Sequence, residues 1–300
     1  MTKPKPTVLL AYPGQRALAE SLARHSGYAL AEIKVHHFPD GEAKLSVPAE
    51  LTDCCVVLVC SLDQPDTKTL HLLFAADAAR DMGARRVGLV APYLAYMRQD
   101  VRFAPGEAIS SRSYARLLSS GLDFLLTVDP HLHRYHSLSE IYTCQAVHLS
   151  AMPALADWIR REVAQPLLIG PDAESAQWIE AVAARIGAPF RVLEKVRHGD
   201  KDVRVSLPDV AALRAHTPVL IDDILSTART MATAVQQVRA VGLAAPVCLG
   251  VHPIFAGDAL AVLAASGPAR IASCNSIPHP SNQIDLGPLL AEALPALCQT

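Results

Sequence analysis

The chain has 300 residues, 51% of them hydrophobic, with 27 lysines and arginines against 29 aspartates and glutamates for a formal net charge of -2. That length suggests about two domains, and the near balance of charge excludes a global attraction to nucleic acid or an anionic membrane, so an anionic ligand must be met by a local basic site. Nowhere do about 18 apolar residues run unbroken, and the start, MTKPKPTVLLAYPG, lacks the apolar core and small-residue cleavage site of an export signal, so a cytoplasmic protein with no membrane partner is expected.

In chain order, short apolar runs alternate with amphipathic stretches. The pattern predicts a strand over Thr7 to Ala11, a helix over Arg16 to His25, a strand over Cys55 to Cys60 and a helix over Thr67 to Met82. A strand over Val87 to Ala91, a helix over Ser110 to Ser119 and a strand over Phe124 to Val128 follow. The alternation begins again after about residue 148: helix Ala154 to Val163, strand Leu167 to Ile169, helix Glu174 to Ile186 and strand Phe190 to Leu193. Beyond the stretch around Val219 come strand Val247 to Val251, helix Gly257 to Ala265 and strand Arg270 to Ser273. Such repetition argues for βαβ units, each with a mainly parallel sheet flanked by helices. Two tandem α/β domains are expected, 1–148 and 149–300, and a packing of the last residues back onto the first domain stays open.

The stretch VLIDDILSTARTM, from Val219 to Met231, reads as a phosphate-binding turn. A buried run ends at Asp222 and Asp223, where an open α/β sheet presents its ligand site. Ser226, Thr227 and Thr230 then precede a helix in which Met231, Val235, Val238 and Val241 recur at helical spacing and Gly242 marks the stop. Hydroxyls and unpaired helix amides would hold a phosphate, and the two carboxylates would accept hydrogen bonds from sugar hydroxyls or hold a magnesium ion. The ordinary alternative is a buried strand followed by an N-capped helix.

Other polar insertions also stand where strands should end. HHFPDGE turns at Pro39-Asp40-Gly41 and presents Phe38, Asp40 and Glu42, either as a ring for a base with carboxylates beside it or as a simple hairpin. YLAYMRQDVRFAPGEAISS places Arg98, Gln99, Asp100 and Arg102 on a loop, and clustered arginines suit a polyphosphate. In TVDPHLHRYH, the spacing of Asp129, His131, His133 and His136 fits no zinc signature, so one metal-facing histidine is expected. The seven cysteines, with no C-x-x-C pair, do not join them and are expected to be reduced core residues. GPDAES offers Asp172 as a strand-end carboxylate or a helix cap, and EKVRHGDKDVRV gathers Lys195, Arg197, Lys201 and Arg204 around Gly199, as a basic flap or a solvated hairpin.

Taken together, HHFPDGE, PYLAYMRQD, TVDPH, GPDAE, EKVR, LIDDILSTART and CNSIPHPSNQIDL stand in the order and spacing of the ribose-phosphate pyrophosphokinases (PRPP synthetases). The resemblance spans nearly the whole chain, and RQDVRFAPGEAISS is closer to the archaeal-type members. It implies two phosphoribosyltransferase-like domains, the first on the ATP side and the second on the ribose 5-phosphate side. It also implies transfer of the ATP β,γ-diphosphate to the 1-hydroxyl of ribose 5-phosphate, with Mg2+, giving PRPP and AMP. Phe38, Asp40 and Glu42 would receive adenine across a subunit interface of a homo-oligomer, and Arg98 and Gln99 would contact ATP. His131 and Asp172 match metal-associated positions, Lys195 and Arg197 the basic pair of the catalytic flap. Asp222 and Asp223 would bind the ribose 2- and 3-hydroxyls or a second ion, and Ser226, Thr227, Ala228, Arg229 and Thr230 the 5-phosphate.

Two departures stand against the family pattern. Ala228-Arg229 replaces a small residue and a glycine in the sugar-phosphate loop, and Ala173-Glu174-Ser175 replaces x-Gly-Gly after Pro171-Asp172. Two alternatives follow: a catalytically weak, PRPP-synthetase-associated regulatory subunit, or a phosphoribosyltransferase. A pairing of Arg229 with Glu174 is expected to compensate the two departures.

Overall fold

The computed structural model describes residues 6–171, 175–198, 202–206 and 213–299. They divide into two compact units, one taking residues up to Ser150 with Ser276–Pro278 and the chain from Asp285, the other taking Ala151–Asn275 and His279–Ile284.

In the first unit the chain runs β1 (Thr7–Ala11), α1 (Arg16–Ser26), β2 (Ala29–Glu32), β3 (Lys34–His37), β4 (Ala43–Ser46) and β5 (Cys55–Val59). It continues through α2 (Pro65–Asp81), β6 (Arg86–Ala91), α3 (Ser110–Gly121), β7 (Phe124–Val128) and β8 (Gln145–Leu149). Six strands form a sheet in the order β2-β1-β5-β6-β7-β8, parallel throughout. All five residues of β5 and of β7 are buried, as a sheet covered on both faces requires. Leu10, Val56, Leu58, Val87 and Leu89 supply alternate positions to a core that includes Leu72, Ala75 and Ala76 of α2 and Ala115 and Leu118 of α3. Phe124 fits beside β6 because position 88 is glycine: a Cβ there would lie 2.2 Å from its ring.

The second unit holds α4 (Met152–Glu162), β9 (Pro166–Gly170), α5 (Ala176–Ile186), β10 (Phe190–Val192), β11 (Glu194–His198), β12 (Asp202–Ser206) and β13 (Thr217–Ile224). Then come α6 (Arg229–Ala240), β14 (Val247–His252), α7 (Ala259–Ala265), β15 (Arg270–Cys274) and β16 (Asn282–Ile284). Its parallel sheet is ordered β10-β9-β13-β14-β15-β16. The final helix, α8 (Gly287–Cys298), belongs to the first unit and packs on α1.

The two units repeat one plan. Each runs strand, helix, strand, antiparallel hairpin, then strand, helix, strand, with β3–β4 in the first unit corresponding to β11–β12 in the second. In each, the chain lays its second strand on one side of its first and the later strands on the other. That reversal creates a switch point between β1 and β5 and another between β9 and β13, the crevice where open α/β sheets receive ligands.

The predicted strands and helices are present with ends shifted by up to two residues, apart from the start expected at Glu174, which lies outside the described residues. The buried run at Val219 does not stop at the carboxylates: β13 continues to Ile224, pairing Asp222 with Gly250 and Ile224 with His252 of β14. Parallel pairing uses only the backbone, so apolar side chains mark where a strand is buried and not where it ends. All seven cysteines are free, and all but the partly buried Cys144 are buried. Among the described residues, no helix is long and apolar enough to cross a membrane.

Candidate active site

At the switch point of the second unit, β13 delivers Asp222 and Asp223, and the Asp222 carboxylate accepts a 3.0 Å hydrogen bond from the Asp223 amide. Leu225 anchors the turn that follows. Its amide donates to the His252 carbonyl at 3.0 Å, its carbonyl accepts from the Phe255 amide at 2.8 Å, and its side chain fills the space where a Cβ on residue 250 would stand, 2.5 Å away. The Ala256 amide donates to the Ser226 carbonyl at 3.0 Å, so the turn after β13 is stitched to the loop after β14.

Ala228 takes the left-handed conformation, φ 57°, and directs the chain into α6 without a side-chain cap. The helix therefore begins with amides that no N-cap side chain satisfies, beside exposed Thr227 and Thr230, which suits an anion. The expectation of an N-capped helix fails here for that reason. The left-handed residue is Ala228 and Arg229 is already helical, so arginine at a glycine position of the family pattern imposes no backbone strain. Arg229 Nη2 lies 4.0 Å from Asp258 Oδ1, with both side chains exposed. Asp258 and Phe255 follow β14 and were not singled out by the sequence, because neither sits in a strand-end motif.

Asp172 and Glu174 lie outside the described residues. Lys195 and Arg197 lie on β11, opposite Val205 and Val203 of β12, in the hairpin expected from the basic run around Gly199.

In the first unit, Phe38, Asp40 and Glu42 form the tip of the β3–β4 hairpin. The Phe38 amide donates to the Glu42 carbonyl at 2.8 Å, and the Glu42 amide to Asp40 Oδ1 at 3.1 Å. Phe38 is 40% exposed, its ring edge-on to His36 at 4.8 Å between centroids. Arg98 and Gln99 follow β6 in a loop held by internal bonds: Gln99 N–H to the Tyr96 carbonyl, Arg102 Nε to the Glu107 carbonyl, and Glu107 Oε2 accepting from the Phe103 and Ala104 amides. Asp100 is buried there and paired with Arg134 at 2.7 Å.

His131 follows β7 at φ 55°, its ring 3.9 Å from that of His133, and Asp129 beside it also has positive φ. Such backbone is sparsely populated outside glycine and gathers at functional turns. Among the described residues, no three histidine, cysteine, aspartate or glutamate side chains come together as a metal cluster. The adjacent carboxylates of Asp222 and Asp223 are the hard oxygen donors that magnesium accepts together with phosphate oxygens.

The hairpin carrying Phe38 is fixed from beneath by a contact that the sequence did not signal. Tyr12, just after β1, and His71 on α2 share a 2.8 Å hydrogen bond, and the His37 ring on β3 lies 5.4 Å from His71. Burial, followed by the neighbouring His37, holds the His71 pKa below its ordinary value.

Residues 7–121 match the family model described as the N-terminal domain of ribose phosphate pyrophosphokinase, and residues 137–284 match the phosphoribosyl transferase domain. The ribose-phosphate pyrophosphokinase of Methanopyrus kandleri is 34% identical over 280 residues, covering 92% of this chain and 94% of that protein. That of Halobacterium salinarum is 32% identical over 289 residues, covering 96% of this chain and 100% of that protein. Both relatives are archaeal. Among solved structures, the phosphoribosylpyrophosphate synthetase from Mycobacterium smegmatis shares the fold with a TM-score of 0.82 at 24% identity, covering 98% of this chain and 99% of that one.

Proposed function

The chain belongs to the ribose-phosphate pyrophosphokinase family, and from that premise we propose that it transfers the β,γ-diphosphate of ATP to the 1-hydroxyl of ribose 5-phosphate, giving PRPP and AMP. The observation that carries the reading is the turn at the β9/β13 switch point. Paired carboxylates there lead directly into an uncapped helix start, an arrangement suited to a sugar on one side and its phosphate on the other.

In this reading the amides and hydroxyls of Ser226, Thr227, Ala228, Arg229 and Thr230 cradle the 5-phosphate, while Asp222 and Asp223 accept hydrogen bonds from the ribose 2- and 3-hydroxyls. That grip fixes the 1-hydroxyl for in-line attack on the β-phosphorus. Phe38 offers its ring face to adenine with Asp40 and Glu42 beside it, and Arg98 and Gln99 hold the ATP phosphates. Lys195 and Arg197 neutralise charge on the transferred diphosphate and on the departing AMP. His131 and Asp172 are the residues that would hold Mg2+, with Asp222 and Asp223 as further oxygen donors, and the ion would supply positive charge to offset that of the phosphate oxygens.

The exposed hairpin tip supports a homo-oligomer in which Phe38 completes a neighbour's ATP site; sedimentation showing an active monomer would contradict it. Neither the regulatory-subunit nor the phosphoribosyltransferase alternative is favoured by any relative reported above. The deciding assay incubates the full chain with ATP, ribose 5-phosphate and magnesium chloride. Equal amounts of AMP and PRPP are expected, and ADP in place of AMP would overturn diphosphoryl transfer.

A further inference from the structure

The motif CNSIPHPSNQIDL, from Cys274 to Leu286, has no part in the assignments above. Its centre, His279-Pro280-Ser281-Asn282, is a β-turn: the Asn282 amide donates to the His279 carbonyl at 3.0 Å, and Pro280 in second place presets the backbone. The turn grips its own histidine. The His279 amide donates to Asn282 Oδ1 at 2.9 Å, and Asn282 Nδ2 donates to Ser273 Oγ of β15 at 3.0 Å. The buried hydroxyls of Ser273 and Ser281 share a 2.7 Å bond, and Ser281 Oγ lies 2.7 Å from His279 Nδ1. The Ser281 amide also donates to Nδ1 at 3.2 Å, so Nδ1 is the ring's acceptor and the proton of the neutral imidazole sits on Nε2.

The ring held there is stacked on Phe255, with centroids 4.7 Å apart and planes 29° from parallel. Phe255 follows β14 at φ 41°, a backbone that bulky residues rarely adopt and that persists only where its surroundings over-determine it. Its amide is tied to the Leu225 carbonyl at 2.8 Å, its side chain is buried in the second unit's core, and His279 covers its ring. The next amide, that of Ala256, is the one that donates to the Ser226 carbonyl. A change in the Phe255 backbone would redirect that amide and unstitch the turn leading into α6.

We propose that His279 is a positioning residue for ribose 5-phosphate: stacked on Phe255, it keeps the loop after β14 stitched to the turn from Ser226 to Thr230, and so keeps that turn's amides set for the phosphate. The inference rests on the reading of that turn as the 5-phosphate cradle. His279 acts through Phe255 and touches no reacting group. The residue type suits the task, because a neutral histidine offers both a flat face for Phe255 and an acceptor nitrogen by which Ser281 fixes the ring's orientation. A turn set before the ligand arrives loses less freedom on binding, so loosening it costs affinity for the sugar phosphate. The residues assigned to ATP lie on other elements and are not held by this stack.

The test titrates ribose 5-phosphate, and separately ATP, into the full chain by calorimetry well below its Tm. His279→Ala should raise Kd for ribose 5-phosphate by about threefold to tenfold, the worth of one aromatic pair, and leave Kd for ATP unchanged. In the steady state, KM for ribose 5-phosphate should rise by the same factor while kcat holds. His279→Phe keeps a ring on Phe255 and should restore most of the affinity. A merely structural role would lower Tm and leave Kd of the folded protein where it was; that result overturns the proposal, as would an equal loss of ATP affinity or a His279→Phe variant no better than His279→Ala. Should His279→Ala fail to fold, Phe255→Leu removes the stack from the other side and should weaken ribose 5-phosphate to the same degree, an unchanged Kd again overturning the proposal. The unsubstituted chain tests the underlying reading by itself: if it fails to bind ribose 5-phosphate, the cradle and the inference fall together, whereas binding that the variants leave intact removes the inference alone.

Discussion

Arg134 Nη1 meets the Asp100 carboxylate at 2.7 Å, and the aspartate side chain is only 3% exposed. The pair ties the loop after β6, which carries Arg98 and Gln99, to the loop after β7, which carries His131. Tyr135 reinforces the tie by donating to the Asp100 carbonyl at 3.3 Å. Two segments assigned to ATP and metal are therefore held to each other by a bond that neither needs for its own backbone.

Arg134→Met should leave the Asp100 carboxylate buried without its cation. The expected loss is about 1–3 kcal/mol, less than for a wholly buried pair because Arg134 itself reaches solvent. KM for ATP should rise more than kcat falls, since the loops lose position and no reacting group is removed. An unchanged Tm together with an unchanged KM would show that the loops hold their places without this pair.

Lys195→Ala tests the second unit's hairpin. Loss of one preorganised positive charge should lower kcat by about a hundredfold or more and affect ATP binding much less. The equivalent hairpin of the first unit carries Phe38, Asp40 and Glu42, so Phe38→Ala should show the opposite split, with KM for ATP raised and kcat largely retained. If both variants moved KM alone, the basic hairpin would be a binding element and the charge-neutralising role would fail.

His71 makes the Phe38 hairpin's support sensitive to pH. With the ring neutral, Tyr12 can donate to Nδ1, and burial followed by His37 depresses the folded-state pKa of His71. The unfolded chain then takes up a proton at a higher pH than the folded one. This contribution to stability is accordingly present above the unfolded pKa of about 6.5 and is lost as pH falls from there toward the folded value. Tm should decline between pH 7 and 5, and His71→Gln should flatten that decline. A slope that the variant leaves intact would move the effect to other groups, such as His279, whose pKa burial also lowers.

The sequence made the central strands legible because β5 and β7 are buried on both faces and read as unbroken apolar runs. Sheet edges were harder to read. ALAE in β2 and QAVHL in β8 are short and partly exposed, so they lack both the continuous and the alternating pattern. Pro288 and Pro295 obscured α8: the first sits in its opening turn, where a missing amide is tolerated, and the second lies inside the helix, where it removes a backbone hydrogen bond. At the candidate site the motifs located the turns, and seven weak motifs in order identified the family. The Asp100–Arg134 tie and the Tyr12–His71 bond join residues 34 and 59 positions apart. No local spacing encodes such pairs.

Arg229 is the departure that most directly touches substrate choice. A cation in the first turn of α6 opposes the helix dipole at a cost of about 0.3–1 kcal/mol. Its partner among the described residues is Asp258, at 4.0 Å, with side chains 69% and 71% exposed. An ion pair that open to water is worth about 0–1 kcal/mol, so it restrains the guanidinium loosely and leaves it available to an incoming phosphate. Arg229→Gly should therefore raise KM for ribose 5-phosphate by about threefold to tenfold, the effect of one partly screened charge. Asp258→Asn should lower it slightly by releasing the arginine. In the double variant the aspartate has nothing left to restrain, so its KM should equal that of Arg229→Gly alone. Additive effects would mean that Asp258 acts on the sugar phosphate by itself. Glu174→Gly supplies the remaining comparison: a double variant with Arg229→Gly less impaired than the two single losses combined would support the pairing with Glu174 and remove Arg229 from the phosphate.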